Sequence, residues 1–246
     1  CNFAGSRRFK VGSARDHILG FRGVNGKGEI IKSGGTVVKN VTGYDLSKLV
    51  TGSFGTLVAL TEIVLKVLPK KKLSNTVIIY TEDKILVNKL FEKISSSSSE
   101  VSGAAYVPDE PQDESYNHNK EMVFKFNDLK SKGSFLALRI EGDKISIDER
   151  IKALTEELEL NKLNTSLLDV HQSVPFWKKI NNLELFAKTK NNLLRAVIPP
   201  SKGGELMQNL GNKFKYYIDW CGSLYWIEVK SKKNMQIVEI KKLIKE

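Results

Sequence analysis

Two glycine-bearing segments hold most of the residues in this chain whose types and spacing could do chemistry. The first, NFAGSRRFKVGSARDHILG from Asn2 to Gly20, offers hydrogen-bonding groups at Asn2, Ser6 and Ser13, and a carboxylate at Asp16 just before an apolar turn. Gly5 and Gly12 let a backbone come close to a ligand there without a Cβ in the way. Arg7, Arg8, Arg15 and Arg22 crowd the same stretch, which suits either an anionic ligand or a solvated surface. The second segment, GSFGTLVALTE from Gly52 to Glu62, sets a glycine turn directly before a strand. Each alone fits an irregular connection. In this order, about 40 residues apart, they are the arrangement in which backbone amides can face a phosphate or a flat ring.

Further along, Arg139, Arg195 and His171 are the groups available to hold a substrate carboxylate or take a hydroxyl proton. Each also fits an ordinary surface arginine or packed histidine, so no residue is assigned as catalytic. Trp220, Tyr225 and Trp226, with Trp177 upstream, read either as domain core or as a wall over a ligand.

The elements that must position these groups fall into two regimes. Eleven of the 18 glycines lie within residues 1–69, and the composition changes at Pro69 and the KKK after it, so a boundary is expected there, giving domains 1–70 and 71–246. In the first regime NGKGEIIKSGG predicts a hairpin turn at Gly26 and Gly28 leading into a strand at Glu29 to Lys32. Gly34, Gly35, Gly43, Gly52 and Gly55 mark sharp turns or close approach to a ligand. Thr61, Ile63, Leu65 and Val67 alternate with Glu62, Val64 and Lys66, the pattern of a half-buried strand closing a sheet.

In the second regime TVIIYT, FLALRIE, LLRAVIP and SLYWIEV have strand composition. Ser146 with Glu149 predicts a capping box ahead of a helix with an Ile147, Ile151, Leu154 and Leu158 stripe, and Ile237, Ile240 and Ile244 mark a last helix. The implied domain is α+β and ferredoxin-like, an antiparallel sheet covered on one side. The serine run Ser95 to Ser99 and the polar span Pro108 to Lys120 read as surface loops.

Bulk properties narrow the classes. A chain of 246 residues buries enough surface to fold without disulfides or a metal. Cys1 and Cys221 form no CxxC pair, and His17, His118 and His171 are far apart, so neither a zinc site nor an iron–sulfur cluster is expected within the chain, and the compartment is expected to be reducing. No apolar run reaches the roughly 20 residues needed to span a bilayer. The expectation is therefore a cytoplasmic protein that meets a membrane only through partners. The net charge of +11 raises nucleic-acid binding, but Lys is interleaved with Glu and Asp, as in the tail IKKLIKE, and a nucleic-acid partner is not expected.

Taken together, RRFKVGSARDHILGF, the GG and VVKNVTGYDLSKL block, GSFGTLVALTE, PFWKKI, LLRAVIPPSKG and YYIDWCGSLYWIEV resemble the flavoprotein family shared by vanillyl-alcohol oxidase and the D-2-hydroxyacid dehydrogenases, and within it the FAD-binding (E-type) subunits of bacterial glycolate oxidases. The resemblance covers nearly the whole chain. It implies that residues 1–70 are the second half of a PCMH-type FAD-binding domain and that 71–246 form the α+β cap. FAD is the implied cofactor. Asn2, Gly5, Ser6 and Gly12, in the loop from Asn2 to Gly12, are implied to approach the flavin side, Gly55, Thr56, Leu60 and Thr61 to meet the adenine end, and Ser13, Asp16 and Ile18 to join the cofactor-binding set.

The implied activity is oxidation of glycolate to glyoxylate, with electrons passing to an iron–sulfur subunit beside a larger homologous flavoprotein subunit. A non-catalytic assembly or electron-transfer subunit, or another FAD-linked 2-hydroxyacid dehydrogenase, is the alternative. Val58 stands where the family commonly has glycine, which leaves less room beside the adenine. The family's N-terminal glycine loop for the pyrophosphate has no counterpart in these residues, so an upstream portion is expected.

Overall fold

The computed structural model describes residues 2–36, 43–109, 133–187, 189–211, 213–229 and 234–245. The VVKNVT part of the glycine block, His118 and most of the Pro108 to Lys120 span lie outside the described residues. The chain divides into two compact units, Cys1–Lys70 and Lys71–Glu246.

In the first unit, short helices α1 (Arg8–Val11) and α2 (Ala14–His17) lead into strand β1 (Ile18–Asn25). β1 is the centre of a three-stranded antiparallel sheet, flanked by β2 (Ile30–Gly34) and β3 (Val58–Leu65). The β1–β2 turn closes as the glycines predict, with the Gly28 amide donating to the Asn25 carbonyl. β2 runs two residues past its predicted end. The reason is contact: Gly20 pairs with Gly34, and a Cβ on Gly34 would sit 2.1 Å from the Leu19 carbonyl oxygen. Gly34 therefore serves strand approach and not ligand approach.

Helix α3 (Leu46–Val50) starts at Asp45, whose carboxylate accepts from the Lys48 amide. It packs Val50 and Leu46 against Phe21, Val58 and Ile31. β3 forms where alternation predicts, but it is not half-buried. Leu60, Ile63 and Leu65 are all exposed, since among the described residues only Val58 of β3 joins the core cluster.

The second unit is a seven-stranded antiparallel sheet of order β7-β4-β6-β5-β9-β10-β8. Its elements run β4 (Leu73–Tyr80), α4 (Lys84–Ser96), β5 (Gly103–Val107), β6 (Phe135–Gly142), α5 (Lys144–Glu157), β7 (Thr165–Leu168), α6 (Val170–Asn181), β8 (Asn192–Val197), α7 (Gly203–Leu210), β9 (Tyr216–Asp219), β10 (Leu224–Val229) and α8 (Asn234–Lys245). β4-α4-β5-β6-α5-β7 is one ferredoxin-like βαββαβ unit, with sheet order 4-1-3-2. β8-α7-β9-β10-α8 repeats the order strand, helix, strand, strand, helix, and its strands again lie 1 beside 3 beside 2. The repeats meet where β5 pairs with β9, at Tyr106 and Ile218.

Three expectations change here. The sheet is covered on both faces: alternation sends Leu136, Leu138 and Ile140 to one side, where α5 packs, and Phe135 and Ala137 to the other, where Phe176, Trp177 and Ile180 of α6 meet them. α5 begins at Lys144 with Asp143 at its N-cap, so Ser146 lies inside the helix. Ser95 and Ser96 end α4 and Ser99 is buried, so the serine run is not simply a surface loop. No helix among the described residues is long and apolar enough to cross a membrane.

Candidate functional site

The opening loop is held by its own side chains. The Ser13 amide and hydroxyl both donate to Asp16 Oδ2, at 2.7 and 2.8 Å, and these bonds hold the Asp16 carboxyl below the usual carboxylate range. Gly12 stands at φ +87°, and a Cβ there would press on that carboxylate at 2.9 Å. Ser6 and Ser13 are buried. Ser6 and Ser13 thus face inward, while Asp16 is exposed and shapes the loop through its bonds to Ser13. His17 joins the loop to the end of β3, its two ring nitrogens lying 3.1 Å from the Lys66 carbonyl and 2.9 Å from that of Val11. Lys48 Nζ donates to the Arg15 carbonyl and so ties α3 to the same turn.

The Gly52–Thr56 turn faces outward. The Thr56 amide and hydroxyl both donate to the Ser53 carbonyl, leaving Gly55, at φ +79°, with open space where a Cβ would stand. Thr61 Oγ1 donates to the Arg22 carbonyl, and Leu60 is exposed. Ile18, at the start of β1, is half-buried and paired with Leu65.

The two segments meet. The ring of Phe3 stands edge-on to that of Phe54 at 6.2 Å, and both are about two-thirds exposed, at 63% and 67%. Asn2 and Phe54 are both in the left-handed region, at φ 56° and 54°, and Asn2 Oδ1 accepts from the Arg15 amide. Non-glycine residues in that region carry backbone strain that surrounding contacts must hold. Asn2, Gly5, Gly55 and Thr56 therefore border one exposed surface of the first unit, floored by two aromatic edges that the sequence alone did not single out. Val58 is not part of it. Its side chain is 6% exposed, in the core beside Phe21 and Val50, and Gly23 makes the space for it.

In the second unit Arg139 is buried at 2% exposure. It donates through Nε and Nη2 to Ser102, lies 3.5 Å from Glu141 Oε2 and sits 4.5 Å from the Trp177 ring centre. Trp177 Nε1 donates to Thr76 Oγ1, and Thr76 bonds Ser173. That network anchors α6 to the sheet, and Arg139 is closed off from any solute. His171 is exposed at the start of α6. Trp177, Trp220 and Tyr225 are buried, as the core alternative has it. Cys221 is buried, and desolvation pushes its thiol up to about 12. No group of three His, Cys, Asp or Glu residues that could hold a metal occurs among the described residues.

No family model matches the chain. It is 53% identical over 74 residues to glycolate oxidase subunit GlcE of Escherichia coli, an alignment covering 30% of this chain and 21% of the relative. It is 37% identical over 101 residues to glycolate oxidase subunit GlcD of Bacillus subtilis, covering 41% and 19%. Among solved structures, an alkyldihydroxyacetonephosphate synthase superposes with a TM-score of 0.64 at 16% identity over 98% of this chain and 50% of that one. A p-cresol methylhydroxylase with bound substrate does so with a TM-score of 0.56 at 10% identity, over 93% and 55%. The chain thus spans about a fifth of these curated relatives and about half of these solved chains.

Proposed function

We propose that the chain is an FAD-binding subunit of an enzyme that oxidises 2-hydroxy acids, glycolate being the first candidate, a reading supported by its similarity to the glycolate oxidase subunits and to an FAD-linked oxidoreductase of Mycobacterium tuberculosis. The observation that supports this most is the meeting of Asn2–Gly5 with Gly52–Thr56 on one exposed surface of the first unit.

That surface fits a flat cofactor. Gly55 leaves open space at its Cβ position, and the Phe3 and Phe54 rings present edges and faces to solvent. On this reading Asn2, Gly5, Gly55, Thr56, Leu60 and Thr61 would meet FAD directly. Ser6, Gly12, Ser13, Asp16 and Ile18 hold the loop that carries them. FAD, when bound, supplies a two-electron acceptor. The chain's part is to fix the loop through the Ser13–Asp16 bonds and to set cationic Arg7 and Arg8 close by. A larger flavoprotein subunit and an iron–sulfur subunit complete the proposed assembly.

A test is to incubate the purified chain with FAD, pass it over a desalting column and record flavin absorbance. The proposal expects protein-bound flavin, reduced in amount by Phe54→Ala. It fails if neither the chain nor the complex it purifies with carries flavin.

The exposed apolar side chains of β3 favour a second reading, an assembly subunit that docks a partner protein through Leu60, Ile63 and Leu65. That reading expects Ile63→Lys to abolish co-purification of partners while flavin uptake stays at the wild-type level.

A further inference from the structure

The two repeats of the second unit supply an internal comparison. The antiparallel pair Tyr106 and Ile218 places a local two-fold axis between β5 and β9, and the strand registers then map β4 onto β8, with Thr76, Ile78 and Tyr80 falling on Leu193, Arg195 and Val197. In the first repeat the outer edge of β4 is taken by β7, which pairs Thr165–Leu168 with Thr76–Ile79. In the second repeat β8 ends the sheet, and among the described residues β10 is its one strand neighbour.

The two edges match in hydrogen-bond phase. The Tyr80 amide donates to the Asn164 carbonyl at 3.0 Å, so Thr76, Ile78 and Tyr80 turn their main-chain groups toward β7. On β8 the Ile198 amide donates to the Ser223 carbonyl at 2.9 Å, and the Glu228 amide, opposite Leu193, donates away from β8 to the Lys215 carbonyl at 2.8 Å. The two directions alternate along an antiparallel ladder, so Leu193 and Val197 turn their N–H and C=O away from β10 and toward the edge. The strand sequence NLLRAV carries neither proline nor lysine, residues that commonly blunt such an edge.

A cavity of about 130 Å³ lies at the end of this edge, between the ends of β8 and α8 and the start of α7. Val197, Pro199, Leu206 and Ile244 line it, and the Lys202–Glu205 ion pair borders it. The corresponding corner of the first repeat lies between the ends of β4 and α5 and the start of α4. There the chain passes through Leu158 and Leu160, 4% and 2% exposed, on its way into β7. Buried leucines leading into a strand are thus what the first repeat supplies at this place.

We propose that the edge of β8 and the cavity beside it take an extended segment of a partner protein by strand addition, with one apolar side chain seated in the cavity. Main-chain hydrogen bonds supply the affinity of such a site and the cavity its selectivity. A second copy of the chain is the poorer occupant. Two-fold pairing of β8 with β8 that keeps all the outward positions in register sets Arg195 directly opposite Arg195, and like charges so placed are destabilising. The partner segment therefore carries no cation opposite Arg195 and no proline opposite Leu193 or Val197.

The test uses the full 246-residue chain and, as the probe, a fluorescein-labelled synthetic peptide with this protein's own sequence 158–168, LELNKLNTSLL. Anisotropy is expected to rise saturably, and hydrogen exchange of the Leu193 and Val197 amides to slow on binding. Leu168→Pro in the peptide removes the amide that faces Leu193 and should weaken binding about tenfold or more, and Leu160→Asp in the peptide should do the same by placing a charge in the cavity. In the protein, Val197→Pro removes an outward amide that β10 does not use and should weaken binding to a similar degree, with circular dichroism confirming the fold. Absence of saturable binding, equal affinity for the Leu168→Pro peptide, or exchange slowed at β4 in place of β8 overturns the proposal. So does a concentration-dependent dimer that Val197→Pro dissolves, which gives the edge to a second copy. None of these readouts depends on bound flavin, so their outcome is separate from that of the cofactor reading.

Discussion

Replacing Val58 with Ala tests whether this residue belongs to the core or to the ligand surface. Its side chain is 6% exposed against Phe21 and Val50. Two methyl groups are lost, at roughly 0.8 kcal/mol each, and the partly unfilled space brings the cost to about 2 kcal/mol. A loss of about 2 kcal/mol raises the open population of the first unit roughly 30-fold. Native-state hydrogen exchange of the β1 and β3 amides should accelerate by that factor, while amides of β4 to β6 keep their rates. The reciprocal change is Gly23→Ala, whose Cβ would lie 2.4 Å from Val58 Cγ1 and 2.6 Å from the Ala59 carbonyl oxygen. Overpacking of this kind costs about 1–3 kcal/mol. In the double variant Val58→Ala removes the side-chain clash but not the backbone one, so rescue should be partial. Unchanged exchange in Val58→Ala together with altered flavin affinity would refute the assignment and return Val58 to the ligand surface.

Two further outcomes follow from buried or bonded charge. Arg139→Met leaves the buried Glu141 carboxylate without its guanidinium neighbour and should lower the unfolding free energy of the second unit by about 3–5 kcal/mol, read as a shift in denaturant midpoint; Glu141→Gln in the same background should recover part of it. The Asp16 carboxyl is held below its ordinary value of 3.8 first by the Ser13 amide and then by the Ser13 hydroxyl, so its stabilisation of the loop is present above 3.8 and lost as pH falls through the lower folded value. Ser13→Ala should move the Asp16 titration, followed by carboxyl-carbon NMR, back toward 3.8, and an unmoved titration would show that the hydroxyl contributes nothing.

What could be read from the sequence followed from how locally each signal is encoded. The Gly26 and Gly28 hairpin, the strand composition of β4, β6, β8 and β10, and the boundary in composition depend on neighbours in the chain, and each has a counterpart in the coordinates. β5, with the sequence GAAYV, was invisible because its small residues carry no alternation, being buried on both faces. β9 is only four residues long. Helix α6 was missed because Pro175 breaks the usual helical composition, although Asp169 and Gln172 form a capping box at its start. Its presence turned a one-sided sheet into a two-sided one. Positions such as Gly34, set by Leu19 and Gly20, and Val58, set by Phe21 and Gly23, depend on residues 14 to 37 places away, so spacing alone could not say which glycine faces a ligand and which faces a strand.

The same limit explains why Arg139 and Arg195, equivalent candidates in sequence, diverge in structure. Both lie on strands, and both stack on tryptophan. The difference is set by what covers them. α6 follows the complete first repeat, and its aromatic side chains close over Ile78, Ala137 and the Arg139 network, so that arginine spends its donors on Ser102. The cluster beneath α6 reaches the second repeat at Tyr217, and it ends in the partly buried Leu193 and Trp226. Arg195, one register beyond Leu193 on the same face of β8, is left at the margin of that cover. A buried arginine needs fixed partners to offset its desolvation.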